Sequence, residues 1–345
     1  MDNSATDPKV LFGVEGQVAV VTGGGTGIGL LIAKTLEHNG ATVYIIGRRL
    51  HVLERAASEH NKHGNIIPLQ GDISSRDSLT GIVEAIKARH GYIDLLVNNA
   101  GIARNLLPSR LPSPLDDSTG APPSIKALQD VLWNTGDPSD FAETFETNVT
   151  AQYYTTIAFL ELLHLGNLRR GALPPLFAAR NTSTQEPETQ EVSAGAESDD
   201  SPDTTVRAAL SMSSAVLGLP QVTSQVITIS SSGSFRVDAR VLTISYTLAK
   251  QACTHLGRLM ANILADWNIR SNVLCPGVWP SEMTNTDLFT PAMLAQTVPL
   301  GRVGTLSDMA GCMLFLAGRA GAYVNGAVWL VDGGRVNAVA STYGP

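Results

Sequence analysis

Residues 17–40 read QVAVVTGGGTGIGLLIAKTLEHNG. The run QVAVV is apolar and β-rich, as a strand buried on both faces requires, and IGLLIAKTLEHNG carries apolar residues at helical spacing before a terminal Gly40. Between them, TGGGTGIG (Thr22 to Gly29) sets Gly23, Gly27 and Gly29 in the turn. Glycine there permits positive φ and lets backbone N–H groups approach a pyrophosphate, whose charge also suits the N-terminus of the following helix. A glycine string alone says little; between a strand and a helix it predicts a nucleotide-binding βα unit.

The same alternation continues outward. TVYII reads as a strand, Leu50 to His60 as a helix, IIPLQ as a strand, Asp77 to His90 as a helix and IDLLVNN as a strand. Further on come QVITIS, a helix from about Tyr246 to Trp267, the strand IRSNVLC, a helix near Asp308 to Ala317 and a last strand, AVWLVDGG. This pattern predicts an α/β fold, a Rossmann-type doubly wound parallel sheet in a single domain over 17–335, with an N-terminal extension at 1–16 and a tail at 336–345. Two insertions interrupt it, at about 103–138 and 166–222. The first holds Pro108, Pro112, Pro114, Pro122 and Pro123 and reads as a loop. In the second, Asn181 to Asp203 carries seven acids with no base and no aromatic residue, a composition that predicts disorder. Between the insertions, helical periodicity runs from about Ser139 to about Leu165.

Composition narrows the function. Of 345 residues, 43% are hydrophobic and 16% charged, which supports a sizeable core. A formal net charge of -7 argues against nucleic acid as a partner. Cys253, Cys275 and Cys312 are odd in number and far apart, so disulfides are not expected and a reducing compartment is favoured. The N-terminus lacks the basic start and apolar run of a signal peptide, and no stretch reaches about 18 uninterrupted apolar residues. A soluble, cytoplasmic protein is expected, without a membrane span. The histidines show no HExxH or Cys/His ligand spacing, so no metal is expected.

The TGxxxGxG spacing, NNAG at Asn98 to Gly101, Asn148, the serines of ITISSSGS, YTLAK at Tyr246 to Lys250 and the PG of Pro276 and Gly277 follow one another from Gln17 to Gly334. In that order they resemble the short-chain dehydrogenase/reductase family. The resemblance implies hydride transfer between a nicotinamide cofactor and a carbonyl or alcohol of a small molecule, in a homodimer or homotetramer. It implies Tyr246 as proton donor, Lys250 as its partner, Ser231 (with Ser232 as the alternative) bonding the substrate oxygen, and Asn148 holding a water in the proton relay. Measured to Ser231, the gap to Tyr246 is about two residues longer than the family's usual one. Physically, a phenol alone exchanges protons poorly at neutral pH, and Tyr246 and Lys250, four apart on one helix face, bring an ammonium to favour the phenolate.

For the cofactor, the resemblance implies contacts from Thr22, Gly23, Gly27, Ile28 and Gly29, from the adenine-side pair Asp72 and Ile73, and from Asn99, Ala100 and Gly101. Tyr246, Lys250, Pro276, Gly277, Val278 and Ser281 complete the set. Asn98 reads as a sheet-stabilising residue. Where an NAD enzyme places an acid at the end of its second strand, TVYIIGRR has Gly47 followed by Arg48 and Arg49, so Arg48 is expected to meet a 2′-phosphate and the cofactor to be NADP(H). The VWPSEMT segment resembles family members near 3-oxoacyl reductases and fungal secondary-metabolite reductases. An NAD-dependent alcohol dehydrogenase and a non-catalytic NADP-binding sensor or scaffold remain the alternatives.

Overall fold

Seven strands lie side by side in the order β3-β2-β1-β4-β5-β6-β7, each parallel to its neighbours. They are β1 (Val18–Thr22), β2 (Thr42–Gly47), β3 (Ile66–Gln70), β4 (Leu95–Asn98), β5 (Gln225–Ile229), β6 (Arg270–Pro276) and β7 (Val328–Val331). The computed structural model describes residues 6–108, 111–115, 122–172, 221–237, 243–282 and 290–341. The helices are α1 (Pro8–Leu11), α2 (Gly27–His38), α3 (Leu50–His60), α4 (Arg76–His90), α5 (Ile125–Trp133), α6 (Pro138–Phe145), α7 (Ala151–Ala158) and α8 (Leu160–Arg169). After β5 come α9 (Ile244–Ile263), α10 (Pro291–Thr297), α11 (Leu306–Ala317) and α12 (Arg335–Ser341).

The sheet is buried on both faces in its middle, where β1, β4, β5 and β6 are buried at every position and are built mostly of apolar residues. In β1, Ala19 and Val21 join Ile32, Leu36, Met309 and Met313 on one side, while Val18 and Val20 join Leu79, Ile86, Phe159 and Leu162 on the other. The two cores are the Rossmann-type doubly wound arrangement expected of the sequence. After β3 the chain returns to the far side of β1, so the connections leaving β1 and β4 run to opposite faces of the sheet, and an open α/β sheet forms its binding crevice at such a point.

Several expectations need correction. The first insertion is not all loop: α5 lies inside it, capped by Ser124 Oγ, which accepts from Ala127 N at 3.2 Å. The prolines stop at Pro123, just before that cap, and so exclude a helix only upstream of it. The helical periodicity from about Ser139 to about Leu165 corresponds to α6, a π turn at Glu146–Thr150, α7 and α8, and α8 carries on to Arg169, inside the expected second insertion. The 336–345 tail begins in α12, whose first turn is held by Asp332 through the N–H groups of Gly334 and Val336 at 2.9 and 2.8 Å. Helix α10 has a legible start, Thr290 followed by Pro291. The disorder expected over 181–203 falls outside the described residues.

One buried charge ties the sheet edge together. Glu37, fully buried in α2, accepts from the N–H groups of Lys62 (3.0 Å), His63 (2.5 Å) and Asn65 (3.3 Å). Burial raises its carboxyl, but those three N–H groups and nearby His38 outweigh it and hold the group below the usual carboxylate range. A depressed folded value means stability that is complete above the unfolded value near 4.3 and lost as pH falls through the folded one. Glu37→Ala is therefore expected to cost about 2 kcal/mol at neutral pH, with the gap to wild type narrowing below about pH 4. Urea unfolding at pH 7 and pH 3.5 measures both, and a gap independent of pH would refute the charge argument.

Candidate active site

A cleft of about 720 Å³ opens over the carboxyl ends of the central strands. On one wall lies the β1–α2 turn, where Gly23 and Gly27 have φ of +65° and +52°. A Cβ on Gly23 would come within 3.0 Å of the Ala100 backbone. Thr26, at the N-cap of α2, makes no side-chain bond to the first turn, and that turn faces the cleft through Gly27 and Ile28. Narrow backbone, positive φ and helix N–H groups aimed at open space fit a dinucleotide pyrophosphate.

Two residues of the glycine motif act differently from expectation. Thr22 is fully buried; its hydroxyl donates to Val97 O and accepts from the N–H groups of Asn99 (3.0 Å) and Ala100 (3.1 Å). It staples β1 to the end of β4 and does not line the cleft. Gly29 lies behind the turn, where a Cβ would sit 2.2 Å from Gly23 O and 2.5 Å from Asn99 Nδ2. Its role is close packing. Gly29→Ala is expected to lower the melting temperature by several degrees along with cofactor affinity, as calorimetry and cofactor titration would show together. Asn99 pins the same turn by donating to Thr22 O at 2.9 Å, while Asn98, as expected, ties the sheet to α7 through Thr156 Oγ1 at 2.8 Å.

Toward the middle of the cleft, α9 presents Tyr246 and Lys250 from one face. Lys250 is 3% exposed, donates to Ile229 O at 2.8 Å and lies with Nζ 5.8 Å from the centre of the Tyr246 ring. Beyond β5, Ser230, Ser232 and Ser234 are buried, and Ser230 Oγ bonds Lys250 O and Thr254 Oγ1 at 2.8 and 2.7 Å. Ser231 alternates outward and lines the cleft beside Tyr246. Its Oγ accepts from Gly233 N at 3.0 Å, which orients the hydroxyl and leaves its proton for another acceptor. Asn148 is fully buried in the π turn; Oδ1 accepts from Ile102 N at 2.9 Å and Nδ2 donates to Ile102 O at 2.8 Å. Each end of the amide is thus bonded to the loop after β4, and the side chain acts first as a clamp on the wall of the site.

The outer end of the cleft is charged. Arg48 is exposed at the end of β2, and Asp72 and Ile73 line the floor beside it. Burial raises the Asp72 carboxyl, but hydrogen bonds from the Ser74 hydroxyl (2.7 Å) and N–H (3.0 Å), with Arg48 nearby, bring it below its ordinary value. Arg49 donates to Glu282 Oε2 at 2.7 Å, so an ion pair links β2 to the segment after β6. Ser281 packs on the glycine turn, its Cβ 3.1 Å from where a Cβ on Gly27 would be. Pro276, Gly277 and Ser281 line the cleft, but Val278 is 9% exposed and faces a second cavity on the other side of Trp279. The neighbouring Trp279 takes its place in the cleft wall.

Sequence reasoning passed over Arg104, Glu143, Glu146 and Thr147, which also line the cleft. Arg104 makes a two-bond pair with Glu143 at 2.9 and 3.1 Å. The spacing of Glu143, Glu146 and Thr147 places them on one helix face, a signal that was available in FAETFETN.

Two family profiles cover this chain: one described as short chain dehydrogenase matches residues 17–172, and one described as enoyl-(acyl carrier protein) reductase matches residues 181–336. The short-chain dehydrogenase/reductase PhomF of Diaporthe leptostromiformis is 40% identical over 96% of this chain and 96% of its own length. The short-chain dehydrogenase/reductase VdtF of Byssochlamys spectabilis is also 40% identical, over 99% of this chain and all of its own length. A Pseudomonas aeruginosa structure described as an RhlG/NADP active-site complex superposes with a TM-score of 0.65 at 24% identity, covering 95% of this chain and 99% of that one. This chain belongs to the short-chain dehydrogenase/reductase family, oxidoreductases acting on C=O and CH–OH groups. Among the described residues no helix is long and apolar enough to cross a membrane.

Proposed function

We propose that the protein is an NADP(H)-dependent reductase that converts a ketone or 3-oxoacyl-like carbonyl to an alcohol. The observation that carries the cofactor choice is the end of β2, where Gly47 stands in the acidic position and exposed Arg48 faces the same cleft as Tyr246 and Lys250. The glycine turn, Ile28, Asp72, Ile73, Asn99 to Gly101, Pro276, Gly277 and Ser281 supply the remaining cofactor contacts. Bound NADPH supplies the hydride that the carbonyl carbon accepts. Ser231 donates its hydroxyl proton in a hydrogen bond to the carbonyl oxygen, and Tyr246 Oη transfers its own proton to that oxygen as charge develops there. Lys250, buried and fixed by Ile229 O, holds its ammonium 5.8 Å from the centre of the Tyr246 ring, beside the charge that develops there. Asn148 holds the loop that forms the opposite wall and carries the relay to Lys250.

The proposal extends to a cytosolic enzyme of secondary metabolism acting on a small molecule and not on nucleic acid, and to a homodimer or homotetramer. Three free cysteines, two of them buried, support the reducing compartment. The α9 face carrying Ala249 and Met260 is buried in the core, whereas Leu248, Leu259 and Ile263 of α9 and Tyr153, Tyr154 and Ile157 of α7 are exposed and supply apolar surface for a subunit contact. The test is a screen of NADPH and NADH oxidation against ketones, quinones and 3-oxoacyl thioesters. Turnover with NADPH is the expected result; a preference for NADH, or binding without turnover of any of them, would overturn the proposal.

A further inference from the structure

We infer that Asn105 is a positioning residue, tying both ends of the first insertion to the backbone of Tyr246. The inference rests on the reading of Tyr246 as the proton donor. Asn105 has φ +52°, a left-handed conformation that asparagine tolerates better than most residues. Its Nδ2 donates to Thr135 O at 3.1 Å and Asp137 O at 3.4 Å, so the start of the insertion is closed against its end. Gly136, at φ +73°, makes room for this: a Cβ there would lie 2.2 Å from Asn105 Nδ2.

The other end of the amide faces the catalytic helix. Asn105 Oδ1 accepts from Ser245 Oγ at 3.0 Å, a hydroxyl that also lies 3.5 Å from Arg104 O. Ser245 Oγ is 2.9 Å from Thr243 Oγ1, which accepts from Tyr246 N at 3.2 Å as the N-cap of α9. Thr243 and Ser245 are fully buried, which shields their hydroxyls from water, and Asn105 is half-buried. With Ser245 donating to Asn105, the Thr243 hydroxyl donates to Ser245, and the chain runs in one direction from the Tyr246 N–H to the Asn105 carbonyl oxygen. Asn105 does not line the cleft, but its neighbour Arg104 does. A displacement of the insertion is therefore passed to the first turn of α9, from which the phenol projects, and a misplacement of about 1 Å can cost up to a hundredfold in rate.

The test uses the full chain with Asn105→Ala, Asn105→Gly, Asn105→Asp, Ser245→Ala and the Asn105→Ala/Ser245→Ala double variant. In hydrogen exchange without cofactor, Asn105→Ala is expected to speed exchange in 243–248 as well as in 103–107, and to leave 22–29 unchanged. With NADPH and an acetoacetyl thioester, kcat should fall about tenfold while Kd for NADPH, read by fluorescence, moves less than about twofold. Asn105→Asp keeps the acceptor for Ser245 and should recover part of kcat. Asn105→Gly accepts the backbone angle but lacks the bonds, so it should match the alanine variant; wild-type rate in it would overturn the inference. So would unchanged exchange in 243–248, or losses for Asn105→Ala and Ser245→Ala that multiply in the double variant. Ser245→Ala covers the case in which the Asn105 variants fail to fold. If wild type reduces none of the screened ketones, quinones and 3-oxoacyl thioesters, or Tyr246→Phe is as active as wild type, the functional reading fails, and the exchange result still decides the linkage.

Discussion

Tyr246→Phe is expected to lower kcat by about a hundred- to ten-thousandfold, the range that positioned proton transfer contributes, while NADPH binds almost as before. The asymmetry follows from the site. In the proposed mechanism the phenol is the proton source, and removing one oxygen leaves the glycine turn, Arg48 and the Asp72 floor in place. Lys250→Ala should lose as much turnover and also weaken the cofactor, because the lysine is buried under the cleft and its Nζ bonds the end of β5. Ser231→Ala should fall less steeply, since it supplies a hydrogen bond and not the proton. Ser232→Ala should cost stability more than rate, because Ser232 is buried behind the cleft. Single-turnover kinetics with NADPH would separate these effects. Turnover by the Tyr246→Phe variant within a few-fold of wild type would sink the mechanism, and a larger loss for Ser232→Ala than for Ser231→Ala would reassign the serine.

How far these residues were legible depends on whether their signal was local. The β1–turn–α2 unit was readable because a buried strand, a glycine turn and an amphipathic helix each leave a short-range pattern. The roles of Thr22, Gly29 and Val278 were not, because adjacency in a motif does not say which side of a loop a residue faces. Thr22 and Gly29 shape the loop from behind, and Val278 turns away while Trp279 faces in. The choice between Ser231 and Ser232 could be narrowed along the chain by the strand-end pattern, whereas only the fold shows that Ser231 lines the cleft and Ser232 is buried behind it. Asn148 was found by its place in the order of family motifs, yet its bonds to Ile102 bridge 46 positions, and no periodicity reports such a contact. Helix α5 was hidden by the prolines ahead of it, and Asn105 by lying in a segment that reads as loop.

Arg48→Ala is expected to weaken NADPH by roughly ten- to a hundredfold, the equivalent of about 1.5 to 3 kcal/mol for a charge-assisted bond to the 2′-phosphate, and to leave NADH nearly unchanged. Arg49 is the internal comparison. Its guanidinium is already held by Glu282 Oε2 at 2.7 Å, and both side chains are more than half exposed, where an ion pair is worth little. Arg49→Ala should therefore produce a small loss, similar for the two cofactors. Glu282→Gln should release Arg49 to share the phosphate and tighten NADPH selectively. Gly47→Asp goes further, placing an acceptor for the ribose 2′-OH where it repels a phosphate, so preference should invert towards NADH. The space permits it, since a Cβ on Gly47 meets Leu53 at an ordinary 3.4 Å. Comparing kcat/KM for both cofactors across these variants decides the point. Equal losses in the Arg48 variant would assign that residue to local folding, and a wild-type preference for NADH would move the enzyme to the oxidative, NAD-dependent side of its family.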